Sequence, residues 1–165
     1  MSLKTMEDLF IHGLKDIYYA EKKLVQQLPK MAKKAESAEL ADAIEKHFKE
    51  TQNQVTRLEK IFRLCDMEPR GKRCPGIGGL IEEAKEIIEE AEEPDALDAG
   101  LLAAAQSVEH YEISRYGTLV AWGEELGMSE AVALLRETLQ EEKNADRLLS
   151  QIAKSSSNPK AVAAE

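Results

Sequence analysis

Four long stretches of this chain repeat apolar residues at spacings of three and four. That period belongs to amphipathic helices and is foreign to strands. The first stretch, about residues 6–34, carries Phe10, Leu14, Ile17, Leu24, Leu28 and Met31. Pro29 lies inside it, which predicts a bend near Gln26 or a break, because proline removes a backbone donor and clashes with the preceding turn. The second, about 38–67, carries Leu40, Ile44, Val55, Leu58, Ile61 and Leu64, with Ser37 as its expected N-cap. Residues 68–76 hold two prolines and two glycines and read as a loop. A shorter helix is predicted over about 79–91, with Leu80, Ile81, Ala84, Ile87 and Ile88, and Pro94 ends it. The third long helix is predicted over about 96–126, stopped by Gly127 in a left-handed conformation. Ser129 is the expected cap of the fourth, about 130–153.

The joints set the topology. Short joints make helices one and two antiparallel, and likewise three and four. The long joint between two and three, with its own small helix, is the crossover of ferritin-like bundles. The expected fold is therefore all-α: a ferritin-like four-helix bundle over 1–154, followed by a flexible tail over 155–165 of loop composition. A length of 165 residues suits one such domain.

A net charge of -9 works against nonspecific nucleic-acid binding, and no basic stripe is present. No apolar run approaches the roughly 20 residues of a membrane span, and the N-terminus lacks the apolar segment of a signal peptide. A cytoplasmic location is expected, with no membrane and no nucleic acid as partner. Cys65 and Cys74 are then expected as free thiols.

The apolar stripes are broken in a consistent way. Glu21 takes an inward position between Ile17 and Leu24. His47, Glu50 and Gln54 stand between Ile44 and Leu58 on one face of the second helix. Glu109, Glu112 and Tyr116 stand between Ala105 and Leu119, and Glu142 between Thr138 and Ala145. Each long helix thus carries a carboxylate near its midpoint, so all can meet at one height. Glutamates buried together are very costly unless cations neutralise them. Two divalent metal ions would do so, and oxygen ligands with histidine support suit iron or manganese. The expected ligands are Glu21, Glu50, Glu109, Glu112 and Glu142. His47, Gln54, Tyr116 and Asp146 are expected as further ligands or as groups that orient the ligands. The competing reading is a buried hydrogen-bond network of Glu50, Gln54, Tyr116 and protonated glutamates.

Several segments carry a family resemblance. They are Lys4-Thr5-Met6-Glu7-Asp8-Leu9-Phe10, Ala20-Glu21-Lys22-Lys23-Leu24 and Gly79-Leu80-Ile81-Glu82-Glu83-Ala84. Val108-Glu109-His110-Tyr111-Glu112-Ile113, Tyr116-Gly117-Thr118-Leu119, Glu137-Thr138-Leu139 and Glu141-Glu142-Lys143 complete the set. Together they resemble the YciF/YciE family of ferritin-like bacterial stress proteins, over nearly the whole chain up to about Ile152. The resemblance implies a homodimer with a two-metal centre. The chain departs from the rubrerythrin and ferritin pattern of Glu-x-x-His on two helices. Asn53 stands three residues after Glu50, Ala145 three after Glu142, and His47 precedes its glutamate.

Two functions follow as expectations. The first is a dimetal protein that handles iron, peroxide or oxygen during stress. Glu50 with Glu109 or Glu112 would bridge the metals, and Glu21 and Glu142 would bind terminally. The second is a non-catalytic dimeric interaction protein whose polar core only specifies packing. An iron-storage cage is a third, for which the sequence offers no many-subunit interface.

Overall fold

The computed structural model describes residues 3–163. Five substantial helices follow in order: α1 Met6–Ala32, α2 Ala38–Leu64, α3 Pro75–Glu90, α4 Pro94–Glu125 and α5 Ser129–Ile152. A short helix α6, Asn158–Ala163, closes the described chain. No strand is present among the described residues. α1 packs on α2, α4 on α5, α2 on α5 and α1 on α4, which closes a four-helix bundle. α3 lies outside it, against α4 and the edge of α1.

The helix ends show why each begins and stops there. At α1, the Thr5 side chain accepts from the Asp8 backbone N–H, and the Asp8 carboxylate accepts from the Thr5 N–H. This reciprocal pair satisfies two donors that a helix start leaves bare. α1 then runs through Pro29 unbroken, so of the two expected outcomes, a bend or a break, the break does not occur. Leu24, Leu28 and Met31 are buried on either side of the proline, and this packing holds the turn together. α2 stops three residues earlier than the periodicity suggests. Asp66 takes φ 53°, and the Met67 N–H reaches back to the Phe62 carbonyl. Aspartate is one of the few side chains that tolerates this left-handed conformation. Gly127, at φ 69°, ends α4 in the same way, with the Met128 N–H on the Gly123 carbonyl. Met128, rather than Ser129, is the N-cap of α5, and Ser129 is already helical.

Two further expectations change. α3 begins at Pro75, so the Pro-Gly-Ile-Gly-Gly run is helical and not loop. The Cys74 sulfur accepts from the Ile77 N–H as a cap, and proline at the first helical position loses no needed donor. Gly100 lets α3 lie close to α4, since a Cβ there would come within 2.5 Å of the Ile87 side chain. The segment expected as a loop-like tail from Ser155 is helical through Ala163. A wider helical turn over Ala153–Ser157 buries Ala153 and Ser157, and this turn and α6 lie against α4.

The core is aliphatic and continuous from Phe10 to Ile152. α4 meets α1, α3, α5 and the closing turn, so it buries residues around most of its circumference, as a central helix does. Cys65 and Cys74 are free thiols, as expected from the sequence. No helix among the described residues is long and apolar enough to cross a membrane.

Candidate metal centre

The bundle brings a polar cluster to its middle. One ligand-type atom each from His47 on α2, Glu109 and Glu112 on α4, and Glu142 on α5 lie within 4.8 Å of one another. The His47 Nε2 is 3.3 Å from a Glu109 oxygen, 3.8 Å from Glu112 and 4.0 Å from Glu142. Glu21 joins from α1, and its carboxylate accepts from the Tyr116 hydroxyl. Glu21, Glu112 and Glu142 are 0% exposed.

The helical period explains the meeting. Glu109 and Glu112 are three apart and share a face of α4, and Tyr116 continues that face one turn later. His47 and Gln54 are both buried and lie two turns apart on the inner face of α2. Gln54 Nε2 donates to Glu142 and, at 3.1 Å, to Glu141. Arg57 holds Glu141 through two bonds of 2.6 and 2.8 Å, and also pairs with Glu137. A chain of contacts thus runs from the largely buried Arg57 to the buried Glu142.

Burial drives the electrostatics. It pushes the Glu21, Glu109 and Glu112 carboxyls well above the usual range, and the neighbouring glutamates push the same way. Burial also lifts Glu142 to about 7 and lowers His47 to about 4. Tyr116 is raised by burial and by the facing Glu21. Burial thus disfavours the charged forms of both the histidine and the carboxyls when no cation is present. Protonated Glu112 can donate to Glu21, and protonated Glu109 to Glu142.

Even so, many polar atoms stay bare. Apart from any proton shared between carboxyls, both nitrogens of His47, both oxygens of Glu112, and one oxygen each of Glu21, Glu109 and Glu142 lack a hydrogen-bond partner. Buried polar atoms without partners are rare and costly. These atoms converge, and they are one imidazole and several carboxylates, a donor set suited to iron or manganese. The residues present therefore fit a metal centre.

The remaining expected residues lie elsewhere. Glu50 is half-buried, faces Lys46 at 3.6 Å, and is outside the four-residue group. It lines, with Lys46, His47 and Glu109, a cavity of about 20 Å³ between α2, α4 and α5, room for one water-sized molecule. Asp146 lies outside the four-residue group but close enough for its charge to act on Glu109. It accepts from Gln106 at 3.1 Å and pairs with the exposed His110 at 3.1 Å. At one turn past Glu142 it sits on the α4 flank of α5, where these two side chains reach it first. Arg57 and Glu141 escaped the sequence reading. The available signal was the spacing of Gln54 and Arg57, which are three apart and share a face.

Comparisons with known proteins place the chain in a family and match its fold. Residues 5–162 match a family described as "Domain of unknown function (DUF892)". The chain is 44% identical to Protein YciF of Escherichia coli (strain K12) over 162 residues, 98% of each chain. It is similar in structure to YcfI of Rhodopseudomonas palustris, at 48% identity and TM-score 0.89, covering 90% of this chain and 95% of that one. The crystal structure of the E. coli stress protein YciF aligns at TM-score 0.88 and 44% identity, covering 92% and 96%.

Proposed function

The chain belongs to the DUF892 family, and from that premise we propose that it is a cytoplasmic bacterial stress-response protein that binds two divalent ions, iron or manganese, and handles iron, peroxide or oxygen. The observation that carries this reading is the convergence of buried ligand-type atoms without partners at the cluster. Charge supports the count: Glu21, Glu109, Glu112 and Glu142 carry four negative charges when ionised, which two divalent cations balance.

The residues have distinct tasks. Glu109 and Glu112 on α4, with Glu21 and Glu142 facing them from α1 and α5, would hold the ions. His47 offers the single nitrogen. Tyr116 orients Glu21 through its hydroxyl, and Gln54 orients Glu142, itself steadied by Glu141 and Arg57. Glu50 and Lys46, at the small cavity, stand where a cation or small oxidant would enter. A bound iron or manganese pair would supply Lewis acidity and electrons.

Elemental analysis after anaerobic loading tests the reading. About two equivalents per chain are expected, lost in the Glu21→Gln, Glu109→Gln double variant. No retained metal with the fold intact would overturn it. A second reading is favoured by the Tyr116–Glu21 and Gln54–Glu142 hydrogen bonds, which partly satisfy the cluster without any ion. In that reading the protein is a non-catalytic homodimeric interaction module. The double variant would then keep full stability, and added metal would change nothing.

A further inference from the structure

The crossover helix α3 is incompletely seated. Only Ile77 and Ala84 are fully buried along its 16 residues. Leu80, Ile81, Ile87 and Ile88 lean on the core but remain half-exposed. Gly100 draws in Ile87, so that side of α3 meets α4 closely. On the other side, facing α1, the helix stands off and leaves a cavity of about 190 Å³. Leu24 and Met31 of α1 form one wall, Leu80, Ile81, Ala84 and Ile88 of α3 the opposite wall, and Val108 of α4 the floor. The body of this space is apolar.

Its polar lining is of one kind. Gln27, Lys30, Lys34 and Lys85 complete it, and no acidic residue does. The chain as a whole has 31 acidic against 22 basic residues, so three cations and no anion run against its composition. Lys30 lies in the last turn of α1 and Lys34 in the turn that follows it, both are exposed, and neither has a carboxylate partner among the described residues. Lys85 holds Glu82 at 2.7 Å. An apolar hole edged by two free ammonium groups favours a ligand with an apolar body and a single anionic end. An engineered apolar cavity of about 150 Å³ takes benzene, so this one admits a somewhat larger body.

We propose that the cleft between α1 and α3 is a binding site for a free medium-chain fatty-acid anion, with the chain among Leu24, Met31, Ile81 and Ile88 and the carboxylate at Lys30 and Lys34. Lysine suits a small carboxylate as a mobile point charge and requires no fixed bidentate geometry. The site is separate from the carboxylate cluster and needs no metal.

Calorimetric titration of the full chain with octanoate tests this, with octanol as the uncharged probe and hexanoate as the shorter one. Saturable octanoate binding is expected, weaker for hexanoate by about threefold to fourfold per methylene removed. Lys30→Glu with Lys34→Glu should weaken octanoate about tenfold and leave octanol within about twofold. Ala84→Trp, which fills the cavity, should abolish both. If that variant loses its helical circular dichroism, Ile81→Trp at the half-exposed wall replaces it. The proposal is overturned if octanoate does not bind, or if it binds equally to the cavity-filled variant. It is also overturned if only phosphatidylglycerol vesicles bind and free octanoate does not. Light scattering that shows a dimer dissociated by Ala84→Trp, with no octanoate binding to either form, would assign the cleft to a second copy instead.

Discussion

Asp98 and Glu112 are both buried carboxylates on α4, and they live in opposite circumstances. Asp98 is 4% exposed, and each of its oxygens accepts a backbone N–H, from Glu36 at 2.8 Å and Ser37 at 2.7 Å. It pins the turn between α1 and α2 to α4, and it serves the start of α2 where the Ser37 side chain makes no capping bond. Glu112 is 0% exposed, and neither oxygen has a fixed donor. The fold supplies every need of the first and leaves the second open. A carboxylate that is buried and satisfied holds structure together. One that is buried and bare marks a place where something from outside completes the bonding.

The contrast breaks if the two residues behave alike. The largest effect expected is on metal-dependent stability. At free manganese or ferrous iron about 1,000 times above the dissociation constant, the protein should gain about 4 kcal/mol. Thermal unfolding should show that gain lost in Glu112→Gln and kept in Asp98→Asn, once each is compared with its own metal-free form. Next, Asp98→Ala should cost about 2 kcal/mol in denaturant unfolding, because two part-buried donors lose a charged acceptor.

The third expectation concerns pH. The carboxyls of the cluster are raised in the folded chain, Glu142 to about 7 from an ordinary 4.5. The folded state therefore holds more protons than the unfolded state above pH 4.5, and its stability falls as pH rises through the folded value. His47, lowered from 6.5 to about 4, acts the other way between those limits, but it is one group against several. Metal-free protein should lose about 2 kcal/mol between pH 5 and pH 7.5 by chemical denaturation, and metal-loaded protein should not. The smallest effect is Glu112→Gln without metal, which should leave stability at pH 7 unchanged or raised by about 1 kcal/mol, since it removes an uncompensated buried acid. A loss as large as that of Asp98→Ala would show that Glu112 is structural after all.

Much of this was legible in the sequence, for a physical reason. Helix period alone places Glu21, Glu109, Glu112 and Glu142 inward, because a stripe broken at its centre still points at the core. Glu50 shows the limit. It lies three residues from His47, but the inner face of α2 is narrow at that height, and His47, Thr51 and Gln54 take the buried positions. Periodicity cannot decide which of several polar residues on one face wins the interior. The hydrogen-bond partners of Asp146, Gln106 and His110, belong to another helix, and no local pattern reveals them. Asp98 was invisible because its bonds reach back some 60 residues to a turn. The start of α3 was misread because proline and glycine were weighed as breakers, when proline at a first helical position is a good beginning.

The four long helices each contribute to the cluster, and this has a consequence for the order of events during synthesis. Chains fold as they emerge, N-terminal end first. α1 and α2 can pair early, but Glu21 and His47 then line an open face and hold no ion firmly. Glu142 leaves the ribosome last, after α4 has crossed over, and only its docking closes the cluster. The site is therefore made late and all at once. Protons, always at hand, fill it first, and any metal arrives by displacing them from a protein that is already folded.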